Sequence, residues 1–347
     1  MDLETEARRR GKKLRILVTR LRYMGDVILA TPAVEALKKR YPGAEIYFAA
    51  ERPYADILVG NPNLSGVIDL TRDVRGAIGA VARMRGMDFI AAVDLFYNPR
   101  SALLLYLSGI PIRVGGGRRF RRRLYTHVFS VSPGTRSAVM HHAEAMRIFD
   151  VEPKDSPPRI YLSESEERAG LDFLERTLGA SGSGRKPILM HPGGTWPSKR
   201  WSPDSFAGVA ALARKRLNAQ IAIITGPGEE SIAREVEARS GGAAKMLPPQ
   251  SLRSVAAAVA SSRGVVANDG GILHMAVALG RPTVGVFGPT EPDIWFPYEG
   301  KGPFALVRRD MECAPCHKHQ CEDLHCLSAI GADEVFRRLE EVLAWKQ

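Results

Sequence analysis

LRILVTRLRYMGDVILATPAVEALKKR, residues 14–40, is the stretch from which the fold is read. Its first six residues, 14–19, are a short, largely apolar run with β-branched side chains, the pattern of a strand covered on both faces. A loop with one glycine, Gly25, follows, and a helical periodicity then runs to near Arg40. A strand that feeds a helix through a glycine turn is half of a parallel βαβ unit. Downstream, 45–50, 67–70, 89–94 and 112–115 read as further strands, with helical patterns at 54–60, 74–85 and 99–108. Within the last of these, 102–107 (ALLLYL) is the longest apolar stretch of the first half and reads as part of a buried helix.

The small, polar segment 181–186 (SGSGRK) is the best linker, and after it the alternation restarts. Strand-like runs lie at 188–191, 220–225, 265–268 and 283–287, and helical ones at 203–217, 229–240, 251–261 and 272–279. The segment 333–345 is an amphipathic helix that could pack on either half. The expected organisation is therefore a basic N-terminal tail (1–13), a first α/β domain (14–180), the linker (181–186), a second α/β domain (187–330) and a C-terminal helix (331–347). Two doubly wound, Rossmann-like domains facing a central cleft would bind ligands at the carboxyl ends of their strands.

Composition narrows the partner. Of 347 residues, 45% are hydrophobic and 25% charged, which excludes disordered, collagenous and fibrous chains. The net charge of +11 is one-sided: residues 1–150 carry 25 basic and 14 acidic side chains, residues 151–347 carry 24 of each. Such asymmetry points to one domain facing an anionic partner. With no apolar run long enough to span a bilayer and no signal-like core near residue 1, a soluble cytoplasmic protein is expected, with attachment to a membrane surface left open.

The chemistry-bearing motifs sit at strand ends. TRLRYMGDV (19–27) lacks GxGxxG, which disfavours a nicotinamide cofactor. Its Asp26 begins a helix at a strand's carboxyl end, where it either caps the helix or serves as a general base. HPGGTWPSKRW (191–201) supplies Gly194, Thr195 and Lys199, the amides, hydroxyl and cation that a diphosphate needs; an ordinary loop with a solvated lysine is the plainer reading. In TGPGEE (225–230), Glu229 is placed either to hold a ribose or sugar hydroxyl or to act as a first-turn acid. NDGGILH (268–274) brings Asp269, Gly270, Gly271 and His274 to another strand end, and VGVFGPTEP (284–292) follows the next. Four glycine-rich strand ends together point to a nucleotide-diphosphate ligand.

The series MGDVILATPAVEALKKRYP, HPGGTWPSKRW, GPGEE, NDGGILHMAVALG and FGPTEP resembles the ADP-heptose–lipopolysaccharide heptosyltransferase family, glycosyltransferase family 9, in order and spacing over essentially residues 14–345. The resemblance implies GT-B architecture, with an N-terminal acceptor domain, a C-terminal nucleotide-sugar donor domain and a last helix crossing back to the N-terminal domain. It implies inverting heptose transfer from ADP-heptose to a lipopolysaccharide inner-core-type acceptor, with no metal or other cofactor in catalysis. Asp26 then matches the general base, Lys199 the lysine on the donor phosphates, and Thr195 a hydroxyl of the same loop. Glu229 matches the acid near the nucleoside, while Asp269, His274 and the Gly270–Gly271 turn line the donor sugar and phosphates. Alternatives are a family 9 transferase with another nucleotide sugar and glycan acceptor, and a GT-B sugar-nucleotide epimerase. A basic nucleic-acid- or membrane-binding protein would leave the phosphate loops unexplained, and no nucleic-acid partner is expected.

Two clusters remain. RVGGGRRFRRRLYTH (113–127) holds six arginines, of which Arg118, Arg119, Arg121, Arg122 and Arg123 are candidates for an anionic glycolipid acceptor or for the inner leaflet of the cytoplasmic membrane. Phe120 and Leu124 interleave with them and could dip into the lipid interface. A solvated charged face is the generic alternative. Cys313, Cys316, Cys321 and Cys326, with His317, His319 and His325 among them, read either as a structural zinc site or as a reduced packed cluster or disulfide pair; no catalytic use is expected.

Overall fold

The computed structural model describes residues 1–117, 119–179 and 184–345, without the side chains of Arg119 and Phe120. It forms two compact units, Met1–Tyr161 and Leu162–Gln347.

The first unit is built on a parallel sheet of β1 (Arg15–Thr19), β2 (Glu45–Glu51), β3 (Gly66–Leu70), β4 (Ala91–Asp94), β5 (Ile112–Gly116) and β6 (His127–Phe129), in the order β3-β2-β1-β4-β5-β6. The second repeats that connectivity with β7 (Ile188–His191), β8 (Ile221–Ile223), β9 (Ala244–Met246), β10 (Gly264–Asn268), β11 (Thr283–Val286) and β12 (Phe304–Val307), ordered β12-β11-β10-β7-β8-β9. In each sheet the chain winds outward from a central strand, returns, and winds out the other way. The switch points fall between β1 and β4 and between β7 and β10, where loops leave neighbouring strands in opposite directions and open a crevice at the carboxyl ends. The register sets Thr19 beside Asp94 and Ala267 beside His191 at those ends.

Side-chain alternation explains why β1 is apolar throughout. Ile16 and Val18 enter one core with Val27, Val34, Leu37, Phe48 and Val93; Leu17 enters the core on the opposite face with Met84, Ala92, Leu104 and Leu105. In the second unit Met190, Val266 and Val286 pack against Phe206, Val335 and Phe336.

Several expectations are corrected. Residues 1–13 are not simply a polar tail: they contain a helix, Leu3–Arg9, whose Leu3 is fully buried in the core of the first unit. The 102–107 stretch is only half buried, because in the helix Pro99–Leu107 the side chains of Leu103, Tyr106 and Leu107 face solvent. The helix Glu164–Leu178 falls in the second unit and packs on the helix Leu252–Ala260, ahead of the expected linker. Of that linker, residues 181–183 lie outside the described residues. The C-terminal helix Ala332–Leu343 packs on β10, β11, β12 and the helix Pro203–Leu217, all within the second unit. Among the described residues no helix is long and apolar enough to cross a membrane.

Candidate active site

At the first switch point β1 ends at Thr19, Arg20 follows, and the helix Met24–Leu29 carries Asp26 in its first turn. The N-cap residue is Tyr23 and not Asp26, but one carboxylate oxygen of Asp26, in the third helical position, accepts the Tyr23 N–H at 3.0 Å and closes the helix start from inside. The other pairs with the Arg20 guanidinium, and both side chains keep about 15% of their surface exposed. Arg20 is itself fixed by the Leu95 carbonyl at 3.0 Å and by the Phe96 ring, 4.7 Å from its guanidinium carbon. Asp26 is thus a largely buried acid, oriented by a clamped cation, that keeps about a sixth of its surface open.

The neighbouring strand β4 ends in Asp94, which is wholly buried. Burial pushes its pKa up, while Thr19 Oγ1 (3.0 Å), Tyr125 OH (2.6 Å) and the Phe96 and Tyr97 amides (3.0 and 2.8 Å) donate to it. Those bonds fold the loop that holds Arg20 in place. Behind Arg20 lies His142, whose pKa burial lowers to about 3, with the Arg20 charge pushing the same way. Its imidazole is therefore neutral.

A third acid, Glu51 at the end of β2, is 1% exposed and meets Arg100 Nη1 at 2.5 Å, Arg72 Nε at 2.9 Å and Arg22 Nη1 at 4.0 Å. Three guanidiniums around one carboxylate leave a net positive cluster at the carboxyl edge of the sheet. Of the arginine-rich segment, Arg121 donates to the Tyr97 carbonyl at 3.1 Å, and Arg122 and Arg123 are exposed. Arg118 and the side chain of Arg119 lie outside the described residues.

The second switch point gathers the other candidates. Lys199, in the turn Pro197–Lys199 after β7, reaches Asp269 Oδ2 at 2.6 Å, and Thr290 Oγ1 donates to the same oxygen at 2.5 Å. Asp269 is 3% exposed and immediately precedes Gly270 and Gly271, at the N-terminus of the helix Gly271–Ala278. A lysine and a hydroxyl thus meet on a carboxylate that directly precedes a helix start, whose first amides have no intrahelical acceptor, which makes the turn a cradle for an anion once Lys199 exchanges its partner. His274, on the same helix, is buried edge-on to Tyr298 with ring centroids 6.5 Å apart. Thr195 is exposed in the loop.

Glu229, after β8, bonds His191 Nε2 at 2.9 Å and the Gly226 amide at 2.7 Å. Burial alone would raise its pKa, but His191 and the Gly226 and Gly194 amides outweigh it and hold the carboxylate down at about 2. The acid can approach this closely because Gly193 has no side chain: a Cβ there would lie 2.2 Å from the Glu229 carboxyl. Asn268 fastens the loop, donating to the Pro192 and Gly193 carbonyls at 2.8 and 3.0 Å and accepting from the Trp201 amide at 3.2 Å.

Sequence reasoning singled out neither Arg20 nor Glu51, Asn268 and Thr290. Arg20 and Asn268 were within reach, since both sit at the ends of switch-point strands. The Glu51–Arg72–Arg100 group unites three strand ends, and no spacing signals it.

The cysteine segment does not fit a zinc site. Cys313 and Cys321 are exposed, Cys316 is half-buried and Cys326 buried, all as free thiols. Among the described residues no group of three or more His, Cys, Asp or Glu side chains is arranged to hold a metal ion. The segment packs instead: His319 stacks on Trp196 at 3.9 Å, and Ser198 Oγ donates to the Lys318 carbonyl at 2.6 Å. Trp196 in turn lies 4.5 Å beneath the Lys199 ammonium, so the segment buttresses the lysine loop.

A sequence model of glycosyltransferase family 9 (heptosyltransferase) matches residues 81–326. Over 327 residues the chain is 28% identical to lipopolysaccharide heptosyltransferase 1 of Pseudomonas aeruginosa, across 89% of this chain and 87% of that protein. The family 9 glycosyl transferase structure from Veillonella parvula superposes with a TM-score of 0.82 at 24% identity, covering 95% of this chain and 97% of that one. The Escherichia coli ADP-heptose lipopolysaccharide heptosyltransferase II gives 0.80 at 22% identity, covering 95% and 98%. The shared fold is the two-sheet GT-B architecture.

Proposed function

The chain belongs to glycosyltransferase family 9 and is a glycosyltransferase, and we propose that it transfers heptose from ADP-heptose to a lipopolysaccharide inner-core-type acceptor. The relatives named for that reaction, or for that donor, align along most of their length. The observation that carries the reading is the second switch point, where Lys199, Thr290 and the Gly270–Gly271 turn converge on Asp269.

Transfer proceeds with inversion. Asp26 accepts the proton of an acceptor hydroxyl as that oxygen attacks the anomeric carbon, and the bond to the diphosphate oxygen breaks on the opposite side. ADP leaves with the electron pair and a growing negative charge. Lys199, moving from Asp269 to the phosphates, and the helix amides at Gly270 and Gly271 meet that charge, so the protein supplies the stabilisation itself and needs no cofactor. Asp269, released from the lysine, is free to hold a sugar hydroxyl. Glu229 holds the nucleoside side of the donor.

An anionic, membrane-borne glycolipid fits the acceptor side. The Arg22, Arg72 and Arg100 cluster and the exposed Arg122 and Arg123 supply the cations, and the enzyme works at the inner face of the cytoplasmic membrane. The test is Asp26→Asn, which keeps size and a hydrogen-bonding head. Transfer should fall by about a hundredfold or more, while ADP affinity measured by calorimetry stays near wild type. Turnover at the wild-type rate would remove Asp26 from the base role.

A further inference from the structure

The helices Val74–Gly86 and Pro99–Leu107 lie against one another on the first unit and leave a groove of about 390 Å³ between them. Val74, Ile78, Val81, Leu103 and Leu107 line it, joined by Arg85 and Arg100. Its rim is unusually bare: Val74 is 75% exposed and Ile78 66%, with Leu103, Tyr106 and Leu107 between 43 and 49%. Contiguous apolar surface of this kind on a soluble unit marks an interaction site.

Charge says which kind. Every charged side chain on these two helices is an arginine: Arg75, Arg83, Arg85 and Arg100. Arg113 extends the set, its guanidinium 5.4 Å above the Tyr106 ring, and the turn Arg119–Leu124 packs against the second helix. The exposed Asp73 caps the first helix beside Val74, and Asp69 lies 3.8 Å from Arg83, so the border is net cationic, with arginines outnumbering acids. An apolar stripe with a net cationic border is the surface that sinks into the headgroup region of an anionic bilayer. On these two helices and their caps, the lysines of a second protein chain would meet one acid, Asp73, against four arginines.

We propose that this face docks on an anionic lipid bilayer, with one acyl chain entering the groove and the arginines meeting headgroup phosphates. Arg100 both lines the groove and bonds Glu51, so the docked face is continuous with the Arg22–Arg72–Arg100 cluster. The proposal extends the reading of a membrane-borne acceptor given above, and its test needs neither donor nor acceptor.

The full chain is sedimented with vesicles of phosphatidylglycerol and phosphatidylethanolamine and, separately, of phosphatidylcholine alone. Wild type should bind the anionic vesicles and not the zwitterionic ones. The double variant Ile78→Asp, Leu103→Asp, at two exposed positions, should lose about tenfold or more of that binding. It should still turn over a deacylated, water-soluble acceptor at the wild-type rate. In the Ile78→Trp variant, indole emission should shift to the blue when anionic vesicles are added. Anionic-vesicle binding unchanged in the double variant, no such binding by wild type, or an indole that stays in water would overturn the proposal. So would a free protein that is dimeric and becomes monomeric in the double variant with vesicle affinity intact, since a second copy would then cover the face. Failure of wild type to use the soluble acceptor would count against the transferase reading alone.

Discussion

Asp26 uses one carboxylate for two tasks, closing the first turn of its helix through the Tyr23 amide and holding Arg20 through its second oxygen. On the proposed mechanism, replacing Arg20 by Gln should lower kcat by about tenfold with little change in donor KM, because Asp26 loses the partner that orients it and the loops proposed to hold the donor are untouched. The steric demand in the lysine loop is at Gly193 and not at Gly194. A Cβ at 193 would collide with the Glu229 carboxyl at 2.2 Å, whereas at 194 the nearest atom is 3.7 Å away. Gly193→Ala should therefore weaken ADP binding by about tenfold, or roughly 1.4 kcal/mol, and Gly194→Ala should be close to neutral; calorimetry on both separates them. Glu229 also carries a pH signature. Its native pKa of about 2 lies below the ordinary 4.5, so the stability it contributes is present above pH 4.5 and is lost as pH falls toward 2. Glu229→Gln should be less stable than wild type by about 1–3 kcal/mol at neutral pH, with the gap in urea midpoints closing through that window. The motif residues were legible because glycine, acid and lysine at strand ends are few and specific. Their partners were not, since Asn268, Thr290 and Glu51 become functional only through contacts between distant strand ends.

At the scale of elements, the close approach of the helices Glu164–Leu178 and Leu252–Ala260 depends on Gly170. A Cβ there would lie 2.4 Å from the Ala257 carbonyl oxygen, and backbone cannot swing aside as a side chain can. Glu166 and Arg253 clamp the same pair through two bonds of 2.6 and 3.0 Å, which limits how far the helices can separate. Gly170→Ala should cost about 2 kcal/mol, read as a lower thermal midpoint with the first unit's spectrum unchanged. The interior strands were readable as apolar runs because both faces are covered. The edge strands β6, β9 and β12 were not: the three-residue β6 and β9 carry mostly half-buried or exposed side chains, and β12 is a four-residue run too short to stand out although it is apolar. The opposite failure occurred at 102–107: six apolar residues looked buried, yet the helical turn sends Leu103, Tyr106 and Leu107 to the surface. Two of those side chains, Leu103 and Leu107, line the groove on which the membrane proposal rests.

Seen whole, the chain applies one topology twice and differentiates the copies by charge. Residues 151–347 carry equal numbers of acids and bases, and the entire +11 belongs to residues 1–150; in the proposed reaction the diphosphate is met by helix amides and the buttressed Lys199. The tandem architecture was legible because the alternation visibly restarts after residue 186. The division of the chain was harder to place, since the helix Glu164–Leu178 precedes the glycine-rich segment and still belongs to the second unit. Because the loops proposed to hold the nucleotide all lie in that unit, ADP at a hundred times its Kd should stabilise the protein by about 2.7 kcal/mol, and Lys199→Ala should abolish most of the gain in melting temperature. The central claim is tested most directly by incubating the enzyme and a deacylated inner-core acceptor with ADP-heptose, UDP-sugars and GDP-sugars in parallel, and measuring glycosylated product and released nucleotide. The account predicts product from ADP-heptose alone, one ADP per sugar transferred and the opposite anomeric configuration in the product. Consumption of another nucleotide sugar with ADP-heptose left intact, or product with retained configuration, would contradict it.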